Sequence, residues 1–336
     1  MHSVKRVRTS AEAQAAKRKK EAGKIIEYNA LVAKVLDLRT SNDTSKEALL
    51  LTTTLLKQNP EYHTIWNIRR QILTAQFDKI ESPQELQKFI DHELCFFLFD
   101  RLRESPKCYW IWNHRQWCLA IAPFPNWQVE MGLVSKLLEY DARNFHGWHY
   151  RRYVVAKRTG RDESASPGSG SSLVRDEFDY TTVKIKQNFS NFSAWHNRTK
   201  LIPKLIEQQH NVVNGRELLR SELDLITQAI YVDPDDQSVW LYHHWLLTGT
   251  DEIVKLSVNE KIELINDQLD SVQQLADLEP DSKWCLHSLA QLKTFKAQLE
   301  GKPVDSSVIG ILDRLIEIDS MRANRYKDWK ISLELL

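Results

Sequence analysis

Four side chains beside two predicted inter-helix turns have the chemistry to bind an anion. Lys107 and Tyr109 follow Pro106, while Arg143 and His146 occupy the matching stretch 36 residues later. Ammonium, guanidinium, imidazole and phenol groups near helix N-termini suit a phosphate or diphosphate, because the donors and the helix dipole both favour negative charge. Neighbouring turns of a helical array lie on one edge, so these side chains are expected to converge. The alternative, ordinary solvated turn residues, stays open on spacing alone.

The elements that must position these residues follow from a pattern repeated along the chain. A turn residue is followed six positions later by a large side chain, usually Trp, and three positions further on by Arg in four copies. The turn positions are Pro60, Pro106, Ala142, Phe189, Pro234, Pro280 and Ser320. Six positions later stand Trp66, Trp112, Trp148, Trp195, Trp240, Leu286 and Tyr326. Three positions after the first five of these stand Arg69, Arg115, Arg151, Arg198 and His243. The last two copies are degenerate.

The spacing of these copies predicts the fold. They lie 36 to 47 residues apart, enough for two helices each, whereas tetratricopeptide repeats have a tighter period of about 34. Apolar residues before the turns step by three or four, as in Leu219, Leu223 and Ile226, which is the pattern of an amphipathic helix. We therefore predict an all-α protein, an α-solenoid of about seven stacked helical hairpins in a single helical-repeat domain, residues 1–336.

The repeated Trp and Arg are predicted to be structural. In Trp-x-x-Arg both side chains lie on the same helix face, so the indole can fill the space between hairpins. The Arg can donate to carbonyls or carboxylates of the adjacent repeat, or stack on an aromatic ring. We therefore expect function to come from residues that are not repeated from copy to copy, above all Lys107 and Tyr109.

Two segments lie outside the copied pattern. Residues 1–24 form a basic arm, helical from an N-cap at Thr9 or Ser10, which either stays solvated or touches an acidic partner. His2 could serve there as a ligand for a metal held by a partner. Residues 162–172 are rich in Ser and Gly, and they predict a flexible loop inside one hairpin because the repeat resumes in phase after it.

Composition and motifs exclude several classes of protein. The net charge of +1 leaves no nucleic-acid footprint, and no apolar run approaches the ~20 residues of a membrane span. The four cysteines are scattered, so we expect them to be reduced thiols that bind no metal. We also expect no signal peptide and a cytoplasmic location. We find no Gly-x-Ser-x-Gly, His-Glu-x-x-His or P-loop motif, and the acidic run 233–236 lacks the third spaced Asp of isoprenoid synthases. The chain therefore has the character of a scaffold or of half an enzyme.

The copies written Pro-x-x-Tyr-x-x-Trp-Asn-x-Arg resemble the α subunits of heterodimeric protein prenyltransferases, from about Glu47 to Trp329. Within that family the chain is most similar to the Rab geranylgeranyltransferase (type II) branch. The supporting stretches are the N-terminal Val-Lys-Arg-Val-Arg-Thr arm, Asn59-Pro60 with Trp66-Asn67-x-Arg69-Arg70, and Asn144-Phe145-His146-x-Trp148. We expect a short form without immunoglobulin-like or leucine-rich-repeat domains.

The resemblance implies a crescent of hairpins wrapped around a β subunit that supplies the catalytic zinc and the lipid cavity. It implies transfer of geranylgeranyl from geranylgeranyl diphosphate to C-terminal cysteines of Rab proteins, which an escort protein presents. Lys107 and Tyr109 would stabilise the departing diphosphate, and His146 would contact it beside Phe145, where the family's usual tyrosine hydroxyl is missing. This chain alone would be inactive. The alternatives are the α subunit of farnesyltransferase/geranylgeranyltransferase type I and a helical-repeat adaptor without an enzyme partner.

Overall fold

The structure, a computed structural model, describes residues 10–162, 169–208, 215–250 and 254–334, and within them every regular element is a helix. The helices are α1 (Ala11–Ser41), α2 (Lys46–Gln58), α3 (His63–Phe77), α4 (Pro83–His92), α5 (Leu98–Glu104), α6 (Tyr109–Ile121), α7 (Trp127–Tyr140), α8 (Phe145–Asp162), α9 (Ser169–Gln187), α10 (Phe192–Gln208), α11 (Gly215–Val232), α12 (Gln237–Thr248), α13 (Val258–Leu278), α14 (Lys283–Glu300), α15 (Ser307–Ile318) and α16 (Ala323–Glu334). A π-helical segment, Glu93–Phe97, joins α4 to α5, and a 3₁₀ turn, Ser320–Arg322, precedes α16.

Seven helical hairpins follow α1 in the described ranges, as the spacing of the copies predicted. The chain forms two compact units, Met1–Val134 and Ser135–Leu336. The single-domain organisation stays a prediction. None of the described helices combines the length and the apolar character needed to cross a membrane.

The predicted loop 162–172 overlaps helical residues at both of its ends. Asp162 ends α8, and residues 169–172 already belong to α9. Serine is tolerated in the first turn of a helix, and α9 continues directly into the buried Leu173 and Val174, which anchor its start. Residues 163–168 lie outside the described ranges, as do residues 1–9 of the predicted arm and its His2.

Each of the first five turns is fastened by the Trp that follows it. The indole Nε1 donates a hydrogen bond to the carbonyl oxygen of the turn residue six positions earlier. The pairs are Trp66–Pro60 (2.8 Å), Trp112–Pro106 (2.9 Å), Trp148–Ala142 (2.9 Å), Trp195–Phe189 (2.7 Å) and Trp240–Pro234 (2.8 Å). All five indoles are buried. The six-residue spacing is therefore the reach of one indole across its turn, and the predicted packing role of these residues is confirmed.

The four repeated Arg residues join consecutive hairpins. Each guanidinium forms two hydrogen bonds, 2.5 to 2.7 Å long, with a carboxylate on the first helix of the next hairpin. The pairs are Arg69–Glu93, Arg115–Glu130, Arg151–Glu177 and Arg198–Glu222. Nη1 binds the preceding helix, for example at Leu49 O (3.2 Å) and Leu94 O (2.9 Å). Burying an Arg is costly unless it is paired in this way, so the predicted contacts to carbonyls and carboxylates are confirmed.

The fifth copy replaces this ion pair by a neutral pair. His243 Nε2 lies 2.9 Å from Gln268 Oε1, in the place of Arg and Glu. Burial lowers the pKa of His243 to about 4, so its imidazole is neutral near pH 7. Both positions differ from those of the other four copies, and the pair keeps a hydrogen bond between the fifth and sixth hairpins without burying a charge.

Candidate functional site

Lys107 and Tyr109 lie at the turn between α5 and α6. Tyr109 is the first residue of α6, and Cys108 is its N-cap residue. Lys107 and Tyr109 are exposed, whereas Cys108 and Trp112 are buried. The Trp112 indole donates a hydrogen bond to the Pro106 carbonyl, so it fixes the backbone across the turn. This turn carries the Lys107 ammonium and the Tyr109 phenol.

Cys108 ties this turn to the preceding one. Its Sγ lies 3.3 Å from the Pro60 carbonyl oxygen. Burial raises the pKa of Cys108 to about 11, so the thiol keeps its proton and donates it to that carbonyl. The rings of His63 and Trp110, one from each turn, lie with centroids 5.3 Å apart. Within the first unit, the prediction that neighbouring turns lie side by side is confirmed.

His146 and Phe145 lie at the start of α8, in the second unit. Phe145 is 56% exposed but His146 only 6%, and their ring centroids are 3.9 Å apart. Asn144 caps the helix, since its Oδ1 accepts from the backbone N–H of His146 (3.0 Å) and of Gly147 (3.1 Å). The predicted site residue is thus largely covered, and the phenyl ring beside it faces solvent.

Arg143 belongs to the same turn and reaches the next one. Its Nη1 lies 3.4 Å from the carbonyl oxygen of Ser190, at the turn before α10. Neighbouring turns are therefore adjacent in the second unit as well. The structure brings Lys107 together with Tyr109, and His146 together with Phe145. The convergence of these two pairs stays a prediction.

The described residues contain no cluster of three or more His, Cys, Asp or Glu side chains suited to holding a metal ion. All four cysteines are free thiols. The acidic run before α12 serves the backbone instead, because Asp233 Oδ1 accepts from Asp235 N (3.1 Å) and Asp236 Oδ1 from Ser238 N (2.9 Å). These carboxylates stabilise the turn and the helix N-terminus.

Sequence reasoning predicted that the repeated Arg residues contact carboxylates but did not identify which acidic residues these are, and it did not predict the hydrogen bond between Cys108 and Pro60. A usable signal exists for these acidic residues, because a Glu stands within an apolar stripe, as Glu222 does beside Leu219 and Leu223. A buried Glu of this kind requires a cation. Nothing in the sequence marks Cys108, because any small apolar residue would fit the pattern equally well.

Comparison with known proteins shows the family of this chain. The family described as "Protein prenyltransferase alpha subunit repeat" matches residues 45–76, 92–122, 127–158, 174–205 and 219–250. A "Geranylgeranyl transferase type-2 subunit alpha" of Schizosaccharomyces pombe is 41% identical over 97% of this chain and 97% of its own length. The protein of that name from Candida albicans is 38% identical over 97% of this chain and 96% of its own. The chain belongs to the family of geranylgeranyl transferase type-2 α subunits.

The five matched segments are the five hairpins whose turns are held by a Trp hydrogen bond, and the two degenerate hairpins lie beyond them. A solved structure titled "Candida albicans protein geranylgeranyltransferase-I complexed with GGPP" superposes with a TM-score of 0.62 at 22% identity. It covers 91% of this chain and 90% of that one. At that identity the likeness concerns the fold, and the predicted all-α array is confirmed.

Proposed function

We propose that this chain is the α subunit of a heterodimer that transfers geranylgeranyl from geranylgeranyl diphosphate to C-terminal cysteines of Rab proteins in the cytoplasm. The names and the near-complete coverage of its relatives support this reading. The β subunit holds the lipid and the acceptor cysteine, and an escort protein presents the Rab. This chain supports the β subunit and adds polar groups at the edge of the lipid diphosphate.

The observation that carries this role is the turn before α6. Lys107 and Tyr109 are exposed there, at the N-terminus of a 13-residue helix, on a backbone held by Trp112 and Cys108. A diphosphate placed at this end would meet a cation, a hydroxyl donor and the positive end of the helix dipole. His146, by family resemblance, would be a third donor from the turn before α8.

The chemistry asked of this chain is the stabilisation of a leaving group. The acceptor sulfur forms a bond to C1 of the lipid while the bond from C1 to the diphosphate oxygen breaks, and the electron pair leaves with the diphosphate. The Lys107 ammonium would attract that growing charge and the Tyr109 hydroxyl would donate a hydrogen bond to it. A zinc ion on the β subunit would supply the acceptor as a thiolate.

A transfer assay with the assembled heterodimer tests the proposal. The full chain is expressed with its cognate β subunit, and labelled geranylgeranyl diphosphate is supplied with either an intact Rab plus escort protein or a short Cys-terminal peptide. Transfer to the Rab that requires the escort, with none to the peptide, is expected. Efficient transfer to the peptide without an escort would favour the farnesyltransferase/type I α subunit instead. Failure to form any heterodimer would favour the adaptor.

A further inference from the structure

An open groove, the α2–α4 groove, lies in the first unit between α2 and the segment formed by α4, the π-helical turn and α5. Its volume is about 480 Å³. One wall is a stripe of α2 from Lys46 to Lys57, and the other runs from Phe89 to Asp100. The two walls are the first helices of consecutive hairpins, so they run in the same direction. At about 1.5 Å per residue, each wall is roughly 17 Å long.

The π-helical segment Glu93–Phe97 forms the middle of the second wall. Within it Glu93 lies on the floor of the groove, where its carboxylate pairs with Arg69. Phe96 lies on the lip and is 65% exposed, as is Leu50 on the opposite lip. π-Helical turns inserted in an α-helix occur frequently at functional sites. The groove therefore has apolar lips above a floor whose charges are already paired.

One polar atom in the groove has no partner among the described residues. Gln76 Nε2 donates to the carbonyl oxygens of Thr44 (2.9 Å) and Ser45 (3.3 Å), so the amide lies at the end of the groove where α2 begins. Its Oε1 is buried and accepts no hydrogen bond from a described residue. Buried acceptors are normally paired. An occupant that presents an N–H or O–H group at this end would satisfy it.

The charge that faces the groove is positive along the α2 wall. Lys46 and Lys57 stand at its two ends, and neither ammonium forms an ion pair with a described residue. The carboxylates in the lining are Glu93, which is neutralised by Arg69, and Asp100 on the opposite wall. An occupant with acidic groups on the flank that faces α2 therefore complements the groove.

The shape of the groove favours a helix over a small molecule or a lipid surface. A small molecule could fill the space between the walls, but it would leave the tips of Leu50 and Phe96 in water. A lipid surface could cover those tips, but it would leave the groove beneath them unfilled. An amphipathic helix does both, because its apolar residues at i, i+3 or i+4 and i+7 enter a groove while its sides cover the lips.

We propose that the α2–α4 groove binds an amphipathic helix of a partner protein. Its apolar side chains lie between Leu50 and Phe96, and its acidic side chains lie toward Lys46 and Lys57. A donor near one end of the helix meets Gln76 Oε1. The inference goes beyond the proposed function and does not depend on it, because no residue of the groove belongs to the turn before α6.

The test is a selection from a library of random peptides on the full chain, followed by affinity measurements with fluorescence anisotropy. Peptides of about 15 residues are long enough to span the groove as a helix. The charge variant carries Lys46→Glu and Lys57→Glu, and the matched control carries Lys24→Glu and Lys34→Glu at exposed positions of α1. We expect enriched peptides with apolar residues at helical spacing beside Asp or Glu. At low salt they should bind the charge variant at least about tenfold more weakly than the wild type, and the control within about twofold.

A second pair of variants tests the apolar lip. Phe96→Ala should weaken the same peptides at least about threefold, since exposed aromatic side chains often anchor a partner. The control is Phe124→Ala, which removes another exposed phenyl ring outside the groove and should leave the affinity unchanged. Circular dichroism checks that each variant keeps its helices.

Three results would overturn the inference. One is the enrichment of no peptide above background on the wild-type chain. Another is a set of peptides without the helical and acidic pattern, or with equal affinities for the wild type and the charge variant. The third is binding to phosphatidylserine vesicles that Phe96→Ala abolishes while no peptide binds, which would assign the groove to a lipid surface.

Discussion

Arg69 and Glu93 form a buried bidentate ion pair between the first and second hairpins, with Nε–Oε1 at 2.7 Å and Nη2–Oε2 at 2.6 Å. His114 Nε2 lies 3.0 Å from the same carboxylate, while Arg70 Nε donates to His114 Nδ1 (3.3 Å). The imidazole therefore carries its proton on Nε2 and donates it to Glu93. Burial would raise the pKa of Glu93, but Arg69 and His114 together lower it to about 2.

Removing one partner of this pair should be costly. Arg69→Met leaves the Glu93 carboxylate buried without its cation, and we expect a loss of about 3–5 kcal/mol in the free energy of unfolding in urea. Arg314→Met, at a pair whose side chains are 46% and 66% exposed, is the control and should cost less than about 1 kcal/mol. Similar losses in the two variants would show that the ladder of Arg–Glu pairs does not hold the hairpins together.

The same pair predicts how stability depends on pH. The folded pKa of Glu93, about 2, lies below the ordinary value of about 4.3. Its contribution is therefore complete above the ordinary value and is lost as the pH falls from about 4 toward 2. The loss should be on the order of 3 kcal/mol. Urea titrations of the wild type and Glu93→Gln across this range should show a shallower dependence in the variant, and parallel curves would contradict the assignment.

The Trp112 indole should matter for function as well as stability, because it holds the turn that carries Lys107. Trp112→Phe and Trp195→Phe each remove one hydrogen bond to a turn carbonyl, so each should lose about 1 kcal/mol from that bond, plus a packing loss. Only Trp112→Phe should also slow transfer by the assembled heterodimer. If Trp112→Phe and Trp195→Phe are equally destabilised and equally active in transfer, the turn before α6 has no specific role in the reaction.

Gly147 should be required for the close approach of α8 to α7. A Cβ at this position would lie 3.0 Å from Cδ2 of both Leu137 and Leu138. Gly147→Ala should therefore destabilise the chain by about 1–2 kcal/mol despite the better helix propensity of alanine. Gly132→Ala is the control, since its Cβ would meet nothing within 4 Å, and it should be neutral or slightly stabilising. Thermal unfolding of the two variants compares them directly, and shifts of the same sign would refute the packing argument.

The repeat could be predicted because each copy of its signal is local. A Trp and the turn it fastens are six residues apart, so one hydrogen bond fixes both the spacing and the phase of the hairpins. The carboxylate partners could not be predicted in the same way. They lie on the following hairpin at irregular separations, from 15 residues for Arg115–Glu130 to 26 for Arg151–Glu177.

The candidate site was predicted in part. Proline and the helix start place Lys107 and Tyr109 on an exposed turn, because that requires only local information. The contrast between the exposed Phe145 and the covered His146 depends on how α8 packs, which the sequence pattern does not contain. The π-helical segment Glu93–Phe97 also has no marker, since neither glycine nor proline lies in it.

The central claim is that the turn before α6 is this chain's contribution to the transfer reaction. The most direct test is the single-turnover rate of geranylgeranyl transfer to a Rab by heterodimers containing Lys107→Ala or the exposed control Lys88→Ala. We predict that Lys107→Ala lowers the rate or the affinity for the lipid diphosphate by about tenfold to a hundredfold. The unfolding transition should be unchanged, and Lys88→Ala should match the wild type. Identical rates and affinities for wild type and Lys107→Ala would contradict the account.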